Sequence, residues 1–280
     1  MFHQKIRIPG LALLALALTW TSAEAATLKE TFKQTYPLRG GGEVEVRNTN
    51  GGITVEGWDR NEVQVEAIKQ VKADSDAKAK EVLQKIRIDV QAGSGQVRIE
   101  TRLPKEEGGL FKILTGNSTN YSVTYKIRAP RDVVANLHNT NGGVRLVGTR
   151  GKAVLETTNG GASVERVAGD IRMRSTNGGL SVAEASGNLD GETTNGGITA
   201  HFTEVDGDIT LSTTNGGVTL KVPRDIRASV DVATSNGSIR SDLEVEGGHK
   251  GRKSLTGDFN GGGGSLKIRS TNGGVRIVAE

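Results

Sequence analysis

The chain has 280 residues, of which 39 are glycine, only 4% are aromatic and none is cysteine. That composition excludes disulfides, thiolate nucleophiles and zinc–thiolate sites, and 35% apolar residues is too few for a polytopic membrane protein. The formal net charge is +4 with both signs interleaved, which gives no basic face, so no nucleic-acid partner is expected; no cofactor is expected either.

Residues 1–25 read as a signal peptide. Lys5 and Arg7 precede the apolar run Leu11–Trp20, and Ala23-Glu24-Ala25 is a small-x-small site with cleavage expected between Ala25 and Ala26. No later segment is long and apolar enough to be a transmembrane helix, so an exported chain, periplasmic or at the cell surface, is expected.

Residues 26–130 form a β-rich N-terminal part. Val44 and Val46 alternate before an NTNGG motif, and Ile53, Val55, Val63, Val65 and Ala67 alternate after it. One helix is predicted near residues 76–86, because Ala79, Val82, Leu83 and Ile86 have helical spacing behind acidic capping residues at 74–76. It is expected to cover an open end of the strand stack. A hairpin around Gly93-Ser94-Gly95 follows. Leu110–Leu114 reads as a flap over the stack or as a contact for a partner.

From residue 131 to 280 a repeat takes over, continuous with the preceding part. The motif [NTS]-T-N-G-G, with a decayed copy at Thr234–Ser238, places asparagines at 50, 141, 159, 177, 195, 215, 236 and 272. The spacings are 91, 18, 18, 18, 20, 21 and 36, the last reading as two periods with one motif lost. Gly151, Gly169, Gly187 and Gly207 each lie 8 residues before the next motif asparagine, so every unit holds two turns and two short strands. Ile171, Met173 and Ser175 are assigned to the inner face, with Arg172, Arg174 and Thr176 outside. Asn-Gly-Gly is expected to turn the chain through positive φ.

Two architectures fit: a β-solenoid of about 18-residue coils, or an antiparallel meander with hairpins at each Asn-Gly. Recurrence of identity in register favours the solenoid, hence an all-β fold with one short helix. Asn141, Asn159, Asn177, Asn195 and Asn215 are then expected to stack as an internal amide ladder. Thr158, Thr176, Thr194 and Thr214 form an outward hydroxyl column, the candidate binding surface for a glycan or ice.

The string GGEVEVRNTNGGITVEGWDRNEVQVEA, the helix followed by KIRIDV, the strand ending YKIRAP and the Asn-Gly-Gly ladder together resemble a bacterial family. Its members are exported β-strand-repeat proteins of unknown function, commonly labelled adhesins. The resemblance spans about residues 40–280 and implies a β-helix-like fold in a cell-envelope setting. It leaves a glycan or another envelope protein as candidate partners.

Catalytic signatures are sparse. His138, His201 and His249 are far apart, no HExxH or GxSxG occurs, and Asp206-Gly207-Asp208 reads as a turn rather than a calcium site. GGHKGRKS at 247–254 reads as a flexible basic loop, since no glycine stands where a phosphate loop needs its second one. No catalytic or metal residue is assigned. The expected function is a non-enzymatic interaction module; the alternative is a carbohydrate-active β-helix enzyme, either lyase or hydrolase.

Overall fold

The computed structural model describes residues 26–103 and 119–280, and within them two sheets enclose one apolar core. The N-terminal part supplies β1 (Ala26–Pro37), β2 (Gly42–Asn50), β3 (Ile53–Trp58) and β4 (Glu62–Ala73). Helix α1 (Asp76–Lys85) follows, then β5 (Arg87–Gly93), β6 (Gln96–Arg102) and β7 (Asn120–Pro130). Ser75 caps α1 by accepting from the Lys78 N–H, and Ala79, Val82 and Leu83 are its buried face. The helix crosses from the end of one sheet to the end of the other and covers the core there, as terminal units of a stack require.

Beyond residue 131 the chain coils regularly, each coil giving one strand to each sheet. The pairs are β8 (Val133–Asn141) with β9 (Val144–Val147), β10 (Ala153–Asn159) with β11 (Ala162–Glu165), and β12 (Ile171–Asn177) with β13 (Leu180–Ala185). Then come β14 (Leu189–Asn195) with β15 (Ile198–Phe202), β16 (Ile209–Asn215) with β17 (Val218–Val222), and β18 (Ala228–Thr234) with β19 (Ile239–Ser241). The hairpin β20 (Glu246–Lys250) and β21 (Ser254–Phe259) precedes the last coil, β22 (Gly264–Asn272) with β23 (Val275–Ala279).

The first sheet has the order β1-β4-β7-β3-β9-β11-β13-β15-β17-β23-β19, and the second β20-β21-β18-β22-β16-β14-β12-β10-β8-β2-β6-β5. Strands of successive coils are parallel and in register, Ala153 opposite Ile171 and Asn159 opposite Asn177, for example. The β-solenoid is therefore the architecture, and the meander is excluded. Columns of small and medium aliphatics, such as Leu137, Leu155 and Met173, fill the interior at 0% exposure. Repetition of these columns explains how a core forms with so few aromatic residues.

The sequence order of coils fails at one place. The last coil, β22–β23, lies between β16–β17 and β18–β19, not beyond them. The 36-residue spacing from Asn236 to Asn272 is thus not two coils with one motif lost. It is a hairpin excursion after which the chain returns to fill an internal slot. The glycine-rich stretch Gly261–Gly264 makes this crossing, held by Asn260 Nδ2 donating to the carbonyls of Arg224 (3.1 Å) and Ile226 (2.8 Å). The segment GGHKGRKS is not a loop either. Its first part forms β20, so His249 sits on a strand opposite Thr256.

Candidate functional site

The motif asparagines do form a ladder, but at an exposed corner of the coil and not inside it. Asn159 Nδ2 donates to Asn141 Oδ1, Asn177 to Asn159, Asn195 to Asn177 and Asn215 to Asn195, all at 2.8 Å. The run extends from Asn50 at one end through Asn272 to Asn236 at the other, with every bond pointing the same way. At its start Asn50 hydrogen-bonds the Tyr121 hydroxyl. The expected internal amide ladder is corrected: Asn141, Asn159, Asn177, Asn195 and Asn215 are exposed. Amides prefer to keep their second N–H and lone pair in water, and the corner allows that.

What lies inside is the residue two positions earlier. Thr157, Ser175, Thr193 and Thr213 are buried, and each donates its hydroxyl to the first motif glycine carbonyl of the preceding coil, at 2.7–3.0 Å. In the first two coils an asparagine replaces the hydroxyl residue. Asn139 Nδ2 reaches the Gly51 carbonyl (2.6 Å), and Asn48 Nδ2 reaches Val123 (2.9 Å) in the N-terminal strands. Asn48 joins a buried network with Thr101 and Tyr125, whose phenol is pushed up to about 12 by burial.

Positive φ is not what the motif supplies in most coils. Gly51 and Gly142 have it, but the motif asparagines do not, nor do Gly160, Gly178, Gly196 and Gly216. Instead the first glycines stack backbone on backbone. A Cβ at Gly178 would lie 2.0 Å from the Gly160 carbonyl oxygen.

The exposed face of the second sheet carries the candidate binding surface. Thr158, Thr176, Thr194 and Thr214 are exposed and follow one another on adjacent parallel strands, about 4.8 Å apart. The structure extends their column to Thr49 and Thr140 at one end and to Thr271 and Ser235 at the other. Beside it runs a second column that the sequence reading did not single out: His138, Glu156, Arg174 and Glu192. Their 18-residue spacing was the available signal. Between the two columns lies a groove of about 380 Å³ running along the stack.

Several polar groups on this face pair with one another. His138 Nδ1 lies 3.0 Å from Glu156, and Arg174 reaches Glu192 (3.2 Å) and Asp190 (2.8 Å), which Arg172 also contacts (3.2 Å). Burial works to raise the Asp190 carboxyl, but hydrogen bonds and charge from Arg174 and Arg172 outweigh it and hold it below the usual range. Asp206-Gly207-Asp208 is a turn. Asp206 accepts from the Gly187 N–H (2.7 Å) and Asp208 from the Ser265 N–H (2.8 Å), so both carboxylates cap backbone. Among the described residues no group of three or more potential ligands gathers as a metal site, and His138, His201 and His249 stay apart on β8, β15 and β20. No helix among them is long and apolar enough to cross a membrane. Of the cleavage pair only Ala26 is described, opening β1, while Ala25 and the Leu110–Leu114 segment lie outside the described residues.

Residues 29–278 match a family described as Toastrack DUF4097. No curated protein matches the chain. Among solved structures it is similar to a putative cell adhesion protein from Clostridium sporogenes, at 11% identity over 90% of this chain and 100% of that one, with a TM-score of 0.35. A putative adhesin from Bacteroides fragilis matches at 10% identity over 89% and 97%, with a TM-score of 0.33. A putative lipid binding protein from Parabacteroides distasonis matches at 10% identity over 89% and 96%, with a TM-score of 0.32.

Proposed function

The chain belongs to the Toastrack DUF4097 family, and from that premise we propose a non-enzymatic, exported binding module of the bacterial cell envelope. Its ligand surface is the outer face of the second sheet, along the groove between the threonine column and the His138–Glu192 column. One observation carries this reading: the groove continues over four coils with hydroxyls on one wall and a row of hydrogen-bonded imidazole, carboxylate and guanidinium groups on the other. Such a surface offers repeated donors and acceptors at a fixed spacing, which suits an extended polar polymer such as a glycan. Glu156 and Glu192 stand on either side of Arg174 with side chains 46% and 57% exposed. Those are half-exposed carboxylates in polar contact with His138 and Arg174, not the buried acid a glycosidase needs.

Export rests on the N-terminal residues, where a basic start, an apolar run and Ala-Glu-Ala follow in order. The protein recovered from an exporting host should begin at Ala26; an intact Met1 on soluble cytoplasmic protein would overturn that part of the reading. For the surface, Thr176→Tyr with Thr194→Tyr closes the groove while leaving the buried Ser175 and Thr193 in place. The wild type should sediment with purified envelope polysaccharide and the double variant should not. Equal retention of both proteins would place the ligand elsewhere.

A further inference from the structure

The two sheets have four edge strands among the described residues, β1, β19, β20 and β5, and they are unequal as pairing templates. β19 has three residues, β20 is bulged between Glu246 and His249, and β5, although regular, is little more than half the length of β1 and ends in Ala92-Gly93. β1 differs from all of them. It pairs with β4 without interruption over twelve residues, Ala26 opposite Ala73 through Pro37 opposite Glu62. Among the described residues no strand lies beyond it. A long, regular open edge is a template for another strand.

The side chains of β1 say which strand. Its even-numbered residues face the core side, where Leu28, Phe32 and Tyr36 lie opposite buried Val71, Ala67 and Val63 yet remain partly exposed themselves. Its odd-numbered residues are exposed on the outer side and include Lys29 and Lys33. In a two-fold antiparallel pairing with a second β1, residues whose numbers share a fixed sum stand opposite one another on the same face. Centring on Thr31 sets Lys29 against Lys33, on Lys33 sets that residue against itself, and on Glu30 does the same for the glutamate. Centring on Phe32 sets no like charges together. It pairs Leu28 with Tyr36, Phe32 with Phe32, Glu30 with Gln34 and Thr31 with Lys33.

We infer that β1 is a self-association edge: two copies of this chain join antiparallel through it, with Phe32 on the two-fold axis. The apolar row that one copy leaves half-covered is covered by the same row of the other. Like charges reject the registers centred on Glu30, Thr31 and Lys33, while centring on Gln34 overlaps only residues 31–37, so the Phe32 register is the longest pairing free of like-charge contacts. Because the axis stands perpendicular to the sheet, the first sheets of both copies merge and their second sheets face the same way. Both threonine columns are then presented on one side, which raises avidity for any extended ligand without a new contact.

The absence of cysteine from the chain makes the register directly testable. Sedimentation of the exported protein should give a dimer. Residues opposite one another in such a pair have Cα atoms about 4.5–5.5 Å apart, within disulfide range. Phe32→Cys should therefore cross-link to a dimer on mild oxidation, and Gln34→Cys should not, because its opposite is Glu30. Should Phe32→Cys fold poorly, the outer face gives a second pair of variants. Thr31→Lys sets two lysine pairs across the axis and should weaken the dimer about tenfold, whereas Thr31→Glu should tighten it. A monomer at all concentrations, or a dimer indifferent to both changes at Thr31, overturns the inference.

Discussion

Two glycines sit side by side in each motif, and the packing treats them differently. The first points its missing Cβ toward the coil before: at Gly178 that atom would meet the Gly160 carbonyl oxygen at 2.0 Å and its carbon at 2.4 Å. The second points toward the coil after, where the contact is milder, 3.1 Å at Gly179 and 3.7 Å at Gly52. The decayed copy obeys this rule. It holds Ser238 at the second position, in the coil beyond which, among the described residues, no further coil lies. Gly178→Ala should therefore cost about 3 kcal/mol, since backbone cannot move aside as a side chain can, while Gly52→Ala should stay within about 0.5 kcal/mol. Denaturant melts of the two variants measure the difference. The buried hydroxyls give a second comparison. Thr193→Val strips the Gly178 carbonyl of its buried donor and should cost about 1–3 kcal/mol. Asn177→Ala exposes its ladder neighbours only to water, which can replace the lost bonds, so its cost should stay below about 1 kcal/mol. If Asn177→Ala proves the more damaging, cooperativity along the exposed ladder outweighs the buried hydroxyl bond.

At the scale of the element, the strands were legible because a period of two sits inside a period of 18. Ile171, Met173 and Ser175 are buried as their alternation requires, and the two extra residues of the 20-residue unit lie in the turn after β15. The helix was legible from its own apolar spacing, and the hairpin from Gly93-Ser94-Gly95, where Gly95 takes φ of +87°. The asparagine corner was not legible, because an inward and an outward ladder leave the same trace in sequence: identity at a fixed spacing. Burial decides between them, and it depends on where the chain bends. A coil is also a removable unit. Deleting Gly160 through Asn177 joins Asn159 to Gly178, restores an intact motif and brings β10 against β14 with every column preserved. Stability in such stacks comes mainly from nearest-neighbour interfaces, so this shorter protein should fold with a modest loss in melting temperature. Deleting Gly160 through Ala168 removes one strand and one turn, and the strands beyond no longer overlie their equivalents. Soluble yield and thermal melting should separate the two clearly. Survival of the nine-residue deletion with loss of the longer one would refute the coil as the unit.

At the scale of the whole molecule, the sequence carried the stacking but not its order. Nothing in residues 228–280 marks β18–β19 as the outermost coil except the weakened motif TSNGS, whose meaning emerges only once its place is known. Similarly, the 91-residue gap before Asn141 conceals that β2 pairs directly with β8 while the intervening chain builds the far end. In an ordinary solenoid the last coil in sequence is the last in space, and losing it merely shortens the stack. Here β22–β23 is internal. It supplies the partners of β16 and β17 on one side, and on the other it accepts backbone hydrogen bonds from Ser235 and Asn236 (3.1 and 2.7 Å). Removing residues 264–280 therefore opens a gap one coil wide in the middle of both sheets, exposing Leu211, Leu220, Val230 and Val232 from either side. The terminal truncation should be more harmful than the internal deletion of residues 160–177, although both remove a single coil of similar length. Limited proteolysis should then cut first between residues 223 and 263, and the melting temperature should fall further than for the internal deletion. The contrary result, a truncated protein as stable as the internal deletion, would mean that β18–β19 docks directly on β16–β17. In that case sequence order would be the intrinsic preference of the repeats, and the C-terminal coil would be an insertion that displaces it.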